Sequence, residues 1–121
     1  MNVFNDPIVV NAVMNTTITS PAVPLVNTYG YAIQAVYVGV PTGTLKLQAS
    51  ADPFNYASPV QPPVPAHWTD IADSSFAVTG PGVYIWNVTG AFYNYVRLVY
   101  TDSSGGTSTA VLNALINAKG V

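Results

Sequence analysis

The chain of 121 residues contains no cysteine and no glutamate. Without cysteine there is no disulfide framework, no thiolate metal site and no thiol nucleophile. Charge is nearly as scarce: the basic residues are Lys46, Arg97 and Lys119, the acids are five aspartates, and His67 is the single imidazole. Binding a nucleic acid takes a basic patch that displaces counterions, and three scattered cations do not make one, so no nucleic acid partner is expected. No stretch reaches the roughly 18 uninterrupted apolar residues of a membrane helix, so no membrane partner is expected either. The opening "MNVFNDPIVV" has neither a basic n-region nor a long apolar core, which reads as a soluble chain made without a cleaved export signal.

The shortage of titratable groups also limits chemistry. His67 has Trp68 beside it and Asp70 three residues on, but a nucleophile–base–acid set needs a positioned serine, and nothing marks one. Hydrolysis by paired carboxylates needs two acids flanking a cleft, drawn here from Asp6, Asp52, Asp70, Asp73 and Asp102 alone. Asp70 and Asp73, with no third acid nearby, make a poor calcium site. Gly105-Gly106 follows a strand pattern and suits a hairpin turn rather than a phosphate cradle. The expectation is a protein that is not an enzyme and carries no metal or cofactor.

What the chain does have is apolar and uncharged polar surface: 50% of its residues are hydrophobic and 12% aromatic, at a formal net charge of −2. A free monomer with so few charges risks association, so much of the surface is expected to be covered by neighbouring subunits. A Thr- and Asn-rich soluble β domain would carry the same composition.

Alternation with a period of two recurs along the chain and helical periodicity does not, which predicts an all-β domain spanning residues 1–121. In "YAIQAVYVG", Tyr31, Ile33, Ala35 and Tyr37 share one face and Ala32, Gln34, Val36 and Val38 the other; both are largely apolar, as in a central strand. "GTLKLQAS" sets Leu45, Leu47 and Ala49 against Lys46, Gln48 and Ser50, and "VYIWNVTG" sets Val83, Ile85 and Asn87 against Tyr84, Trp86 and Val88. In "YNYVRLVYT", Val96, Leu98 and Tyr100 read as inward, with Tyr95, Arg97 and Val99 opposite. The final "TSTAVLNALINAKG" could pass for a helix, but Ala110, Leu112, Ala114, Ile116 and Ala118 alternate after a Gly-Gly turn and predict a strand. Eight or so such strands predict a two-layer antiparallel β-sandwich, jelly-roll-like rather than immunoglobulin-like.

Residues 51–66, "ADPFNYASPVQPPVPA", are rich in proline and lack a strand pattern, so they read as a long loop with polyproline character. Pro53, Phe54, Tyr56, Pro59, Pro62, Pro63 and Pro65 are its candidate assembly contacts, because prolines lower the entropy cost of ordering on a partner. Exposed aromatics can also stack on sugar faces, and Tyr56, Trp86 and Tyr93 are the candidates for a glycan site. Core edges and interface anchors account for aromatics equally well. Arg97, the one arginine, is expected to pair with Asp70 or Asp73 as a structural ion pair, with a ligand-gripping arginine as the alternative.

The segments "GTLKLQASADP", "HWTDIADSSFAVTGPGVYIWNV" and "YNYVRLVYTDSSGGTSTAVLNALINAKG" resemble the small β-sandwich virion structural proteins of tailed bacteriophages. In those proteins a strand ending "LQAS-D" precedes "W-DI", and a later "YVRL-Y" strand precedes a Gly-rich turn and a terminal strand. The resemblance covers roughly residues 30–120, and "YVRL" also occurs in discoidin-type jelly rolls that bind glycans or lipid. It implies a virion protein assembled in the host cytoplasm, most simply a capsid decoration (cement) protein. Its partners would be further copies of itself, with a trimer favoured, and other virion proteins such as the major capsid protein. A tail, spike or fibre-associated module that binds a host glycan or receptor is the alternative.

Overall fold

A computed structural model describes residues 3–25, 28–52 and 65–120. The strands are β1 (Val3–Val13), β2 (Ile18–Thr19), β3 (Val23–Pro24), β4 (Thr28–Val38), β5 (Gly43–Ser50), β6 (Thr69–Asp70), β7 (Phe76–Val78), β8 (Gly82–Thr89), β9 (Tyr95–Asp102) and β10 (Val111–Gly120). All pairings are antiparallel. One sheet, here sheet A, has the order β1-β10-β4-β8. The other, sheet B, runs β2-β9-β5-β6, with β3 also on β9 and β7 also on β5.

If β2 with β3 and β6 with β7 each count as one interrupted strand, the described residues form eight strands in two four-stranded sheets. Every connection crosses to the other sheet except the one from β5 to β6. That double Greek key is a jelly roll, the architecture the alternation pointed to.

The interruptions have a common remedy. Between β2 and β3, where Pro21 follows, Ser20 donates its N–H to the Leu98 carbonyl (2.9 Å), and its Oγ accepts from Leu98 N (2.8 Å). Between β6 and β7, Ser74 Oγ accepts from Leu47 N (3.1 Å), while the Ile71 N–H reaches the Leu47 carbonyl (2.9 Å). Both serines are buried, so each hydroxyl replaces a ladder carbonyl that the broken strand does not supply. Ser74→Ala should therefore strand the Leu47 N–H in the interior and cost about 1–3 kcal/mol in denaturant melts.

The core lies between the inward faces. Tyr31, Ile33, Ala35 and Tyr37 of β4 are buried, as are Ala110 and the alternating Leu112, Ala114, Ile116 and Ala118 of β10. They meet Leu45 and Leu47 of β5 and Val96, Leu98 and Tyr100 of β9 in one cluster. β4 is an inner strand of its sheet, as its two apolar faces predicted.

Two details depart from the alternation. Ser50 is buried although it falls on the polar side of β5, and Tyr95 and Val99 are buried on the outward face of β9. β9 is an inner strand of sheet B, and its neighbours stand over that face: Val99 lies between Thr19 and Lys46, and Tyr95 between Pro24 and Ser50. The four-carbon stem of Lys46 beside Val99 covers apolar surface while its ammonium reaches solvent.

Candidate assembly surface

The outward face of sheet A presents five cross-strand rows. Val13, Val111 and Val38 form the first, and Asn113, Val36 and Val83 the second. Pro7, Leu115, Gln34 and Ile85 follow, then Asn5, Asn117, Ala32 and Asn87, and last Lys119, Gly30 and Thr89. Among the described residues in these rows only Lys119, at one end, carries a charge. Val83 (56%), Ile85 (54%), Val13 and Val38 are exposed, with Val10 beside them on β1. The face is thus mainly aliphatic, with the side-chain amides of Asn5, Gln34, Asn87, Asn113 and Asn117 among the apolar groups, and it is not covered by sheet B.

At the Lys119 end the face dips. Gly30 and Ala32 floor a trough of about 380 Å³, Asn87, Thr89, Asn117 and Lys119 wall it, and the half-exposed Tyr29 stands at its rim. Gly30 is required there because a Cβ would lie 2.8 Å from the Val88 carbonyl oxygen. The Ala91 N–H bonds the Tyr29 carbonyl (3.1 Å) and so joins the loop that carries Phe92, which is 95% exposed, to this end of the sandwich.

The expected glycan stackers are placed otherwise. Trp86 faces inward from β8, only 7% exposed, and its Nε1–H donates to the Ser74 carbonyl (2.8 Å). Its ring meets Tyr84 edge-on at 4.9 Å, and Tyr84 stacks on Phe76 at 4.2 Å. Tyr93 is half-buried and shares a 2.5 Å hydroxyl hydrogen bond with Tyr31, across an edge-to-face ring pair. Burial pushes the Tyr31 hydroxyl far above its usual range, and the bond to Tyr93 adds to this. Trp86 and Tyr93 are therefore scaffold, and Tyr56 lies outside the described residues.

On the outward face of sheet B, Arg97 does not pair directly with Asp70 or Asp73. β5 separates β9 from β6, with Gln48 opposite both Arg97 and Asp70, so arginine and aspartate are two strand spacings apart, roughly 10 Å. Gln48 spans the gap. Its Oε1 accepts from Arg97 Nε (2.8 Å), and its Nε2 donates to Asp70 Oδ1 (2.9 Å). Asp70 Oδ2 takes its ion pair from Lys46 Nζ at 3.1 Å. The guanidinium lies over the Trp68 ring, 4.1 Å from its centroid, and desolvation there lowers the Arg97 pKa from its usual value. Asp73 sits in a turn in the left-handed region, φ 61°, exposed to solvent.

The arginine is neither deeply buried nor free, so Arg97→Met should cost about 1 kcal/mol in thermal melts, the scale of a cation–π contact plus one side-chain hydrogen bond. Arg97→Lys should recover part of that.

Of the proline-rich segment, Pro53, Phe54, Tyr56, Pro59, Pro62 and Pro63 lie outside the described residues. Pro65 is buried, so it anchors the segment to this chain and offers nothing to a partner. Asp52 clasps the two ends: Oδ2 accepts from Ala66 N (2.6 Å) and His67 N (3.0 Å), and Oδ1 lies 3.0 Å from His67 Nδ1. Asn94 Nδ2 holds the Asp52 carbonyl at 2.9 Å. The one imidazole is thereby engaged at a loop base.

Three aspartates share one electrostatic pattern. Backbone N–H groups of Ala66 and His67 hold Asp52 below the usual carboxylate value. The Gln48 amide and Lys46 do the same for Asp70, and the Ser104 hydroxyl and N–H for Asp102, which also accepts from Gly106 N (3.1 Å) in the β9–β10 turn. A lowered folded-state pKa contributes stability above the unfolded value of 3.8 that is lost as the pH falls through the folded values. Melting temperature should hold from neutrality to about pH 5 and drop by pH 3. A flat profile to pH 3 would show that these clasps do not support the fold.

No protein-family model matches the sequence, and no curated protein matches it. Solved structures do resemble it. One, described as Bacillus endospore appendages that form disulfide-linked pili, overlays with a TM-score of 0.50 at 12% identity, covering 98% of this chain and 88% of that one. The coat protein of Tobacco streak virus gives 0.46 at 11% identity over 99% and 88% of the two chains, and PirA gives 0.45 at 17% over 97% and 93%. At these identities the first overlay speaks for the fold alone, and the two weaker ones carry no argument.

Sequence reasoning missed the surface described above. It recognised the alternation in β8 but not which set faces water, because Val83 and Ile85 are as apolar as Val88 and Trp86. The signal that could have found it is the absence of charge from all of residues 74–96.

Proposed function

We propose that this chain is a non-enzymatic structural subunit that works by assembling with copies of itself and with neighbouring proteins. The observation that carries the reading is the outward face of sheet A, an aliphatic and amide surface with one charge at its end. Such composition resembles an interface core, where charged residues are depleted. With no cysteine in the chain, its contacts are not disulfides, unlike those of the pili named above. A non-enzymatic role is consistent with His67 and Asp52 being engaged in a loop clasp. Among the described residues no group of three metal-binding side chains converges.

In its finer form the proposal is a tailed-bacteriophage virion protein that decorates the capsid shell, supported by the sequence resemblance over residues 30–120. In that role it would contact the major capsid protein, and a trimer would match a capsid three-fold position. The proline-rich segment 51–66 is proposed as one contact. Because Asp52 clasps its base, deleting residues 55–64 should leave a folded domain that incorporates less well into particles. Mass spectrometry of purified particles should find the chain as a stoichiometric component. Its absence from them would overturn the virion reading, and unchanged incorporation of the deletion variant would remove the segment from it.

A second reading, glycan binding, now has a better location than the residues first expected. The trough beside Tyr29 offers one aromatic rim, two side-chain amides, a hydroxyl and an ammonium, which is the donor and acceptor set that orients a sugar. Tyr29→Ala and Asn117→Ala should then abolish any glycan-array signal without changing the melt.

A further inference from the structure

The two sheets have four edges, and three of them are blunted. Those of sheet B consist of two- or three-residue pieces, β2 with β3 and β6 with β7, broken by proline or a turn. β1 carries Pro7, which has no N–H, register shifts on either side of Val9, and Asn11 in the left-handed region at φ 48°. These are devices by which proteins prevent strands from adding to an open edge.

β8 has none of them. Its eight residues, GVYIWNVT, contain no proline and no charge, and they keep an unbroken register with β4 from Gly82 opposite Tyr37 to Thr89 opposite Gly30. Among the described residues no strand pairs with its far side. An edge strand this long, unbroken and uncharged presents a row of backbone donors and acceptors ready for another strand.

We propose that β8 pairs antiparallel with β8 of a second copy of this chain, joining two sheets A into one continuous eight-stranded sheet. This deepens the assembly reading and rests on it. A second copy fits for three reasons. The strand carries no charge, so two copies bring no like charges together. Val83 and Ile85 are both more than half exposed, so two copies would bring apolar side chains together beside the paired backbones. With the other three edges blunted, β8 of a second copy is the open edge this chain offers to β8, and a strand that pairs with itself about a two-fold axis closes as a dimer, in place of a trimer, instead of growing into a fibre.

Hydrogen exchange on the wild-type chain across a dilution series tests this directly. The β8 amides that point away from β4 should be protected at high concentration and lose protection together on dilution. Ile85→Lys places a charge at an already exposed position of the edge; it should keep the wild-type circular dichroism and convert a species of twice the 12.7 kDa chain mass into a monomer. Four results would overturn the pairing: outward β8 amides that exchange freely in an oligomer, protection that dilution does not remove, a trimer indifferent to Ile85→Lys, or protection that only a different protein confers. The first and third would leave the assembly reading standing. A β8-paired dimer in a chain absent from purified particles would instead sink the virion reading and leave the pairing intact.

Discussion

Gly43→Ala should destabilise the fold by roughly 3 kcal/mol, one of the two largest effects expected of a single change here. Gly43 opens β5 opposite Asp102 of β9 and Val78 of β7. A Cβ built on it would overlap the Thr101 carbonyl oxygen and lie 2.6 Å from the Tyr100 hydroxyl and 2.7 Å from its ring. The oxygen belongs to the paired backbone of β9, and Tyr100 is fully buried with its hydroxyl donating to the Thr42 carbonyl (3.1 Å), so neither can step aside cheaply. The constraint is one of space, since Gly43 is not among the glycines at positive φ. Chemical denaturation reads it, and a loss below about 0.5 kcal/mol would mean that β5 and β9 shift apart without cost.

Trp86→Ala should cost about 3–5 kcal/mol, because it empties a large buried volume and removes the donor that holds the Ser74 carbonyl. Ser74 repairs the ladder between β6 and β7, so the loss should spread to that edge of sheet B. The same substitution separates two roles. A glycan-stacking tryptophan would lose binding at nearly constant stability, whereas a core tryptophan loses stability first. Trp86→Phe should recover much of the volume but not the hydrogen bond.

How much of this was legible in the sequence depended on whether a feature is local. Alternation is local, and it gave the inward face of β9 and the division of β4 and β10 into two faces, including the terminal strand whose alanines and leucines also suit a helix. Strand count and turn spacing then sufficed for the sandwich and its jelly-roll preference. Partners across strands are not local. Arg97 was matched to Asp70 by type of charge, but the register puts β5 between them, and Gln48 took the role of bridge. Ser20 and Ser74 gave no signal at all, because a serine that completes a broken ladder reads like any turn serine. Trp86 was misplaced as a possible sugar platform because β8 alternates between two apolar sets, and only the packed sandwich decides that Tyr84, Trp86 and Val88 face the core. The proline-rich segment stood out by composition, but the clasp of Asp52 on Ala66 and His67 at its base did not, because it joins residues on either side of the segment that no local pattern relates.

The mass of the purified chain in solution, measured by light scattering across the micromolar range, tests the central claim most directly. The assembly reading predicts a multiple of 12.7 kDa that falls toward the single-chain mass on dilution. A chain that stays at 12.7 kDa throughout that range, with its charge-poor sheet face and bare β8 edge in water, would contradict it.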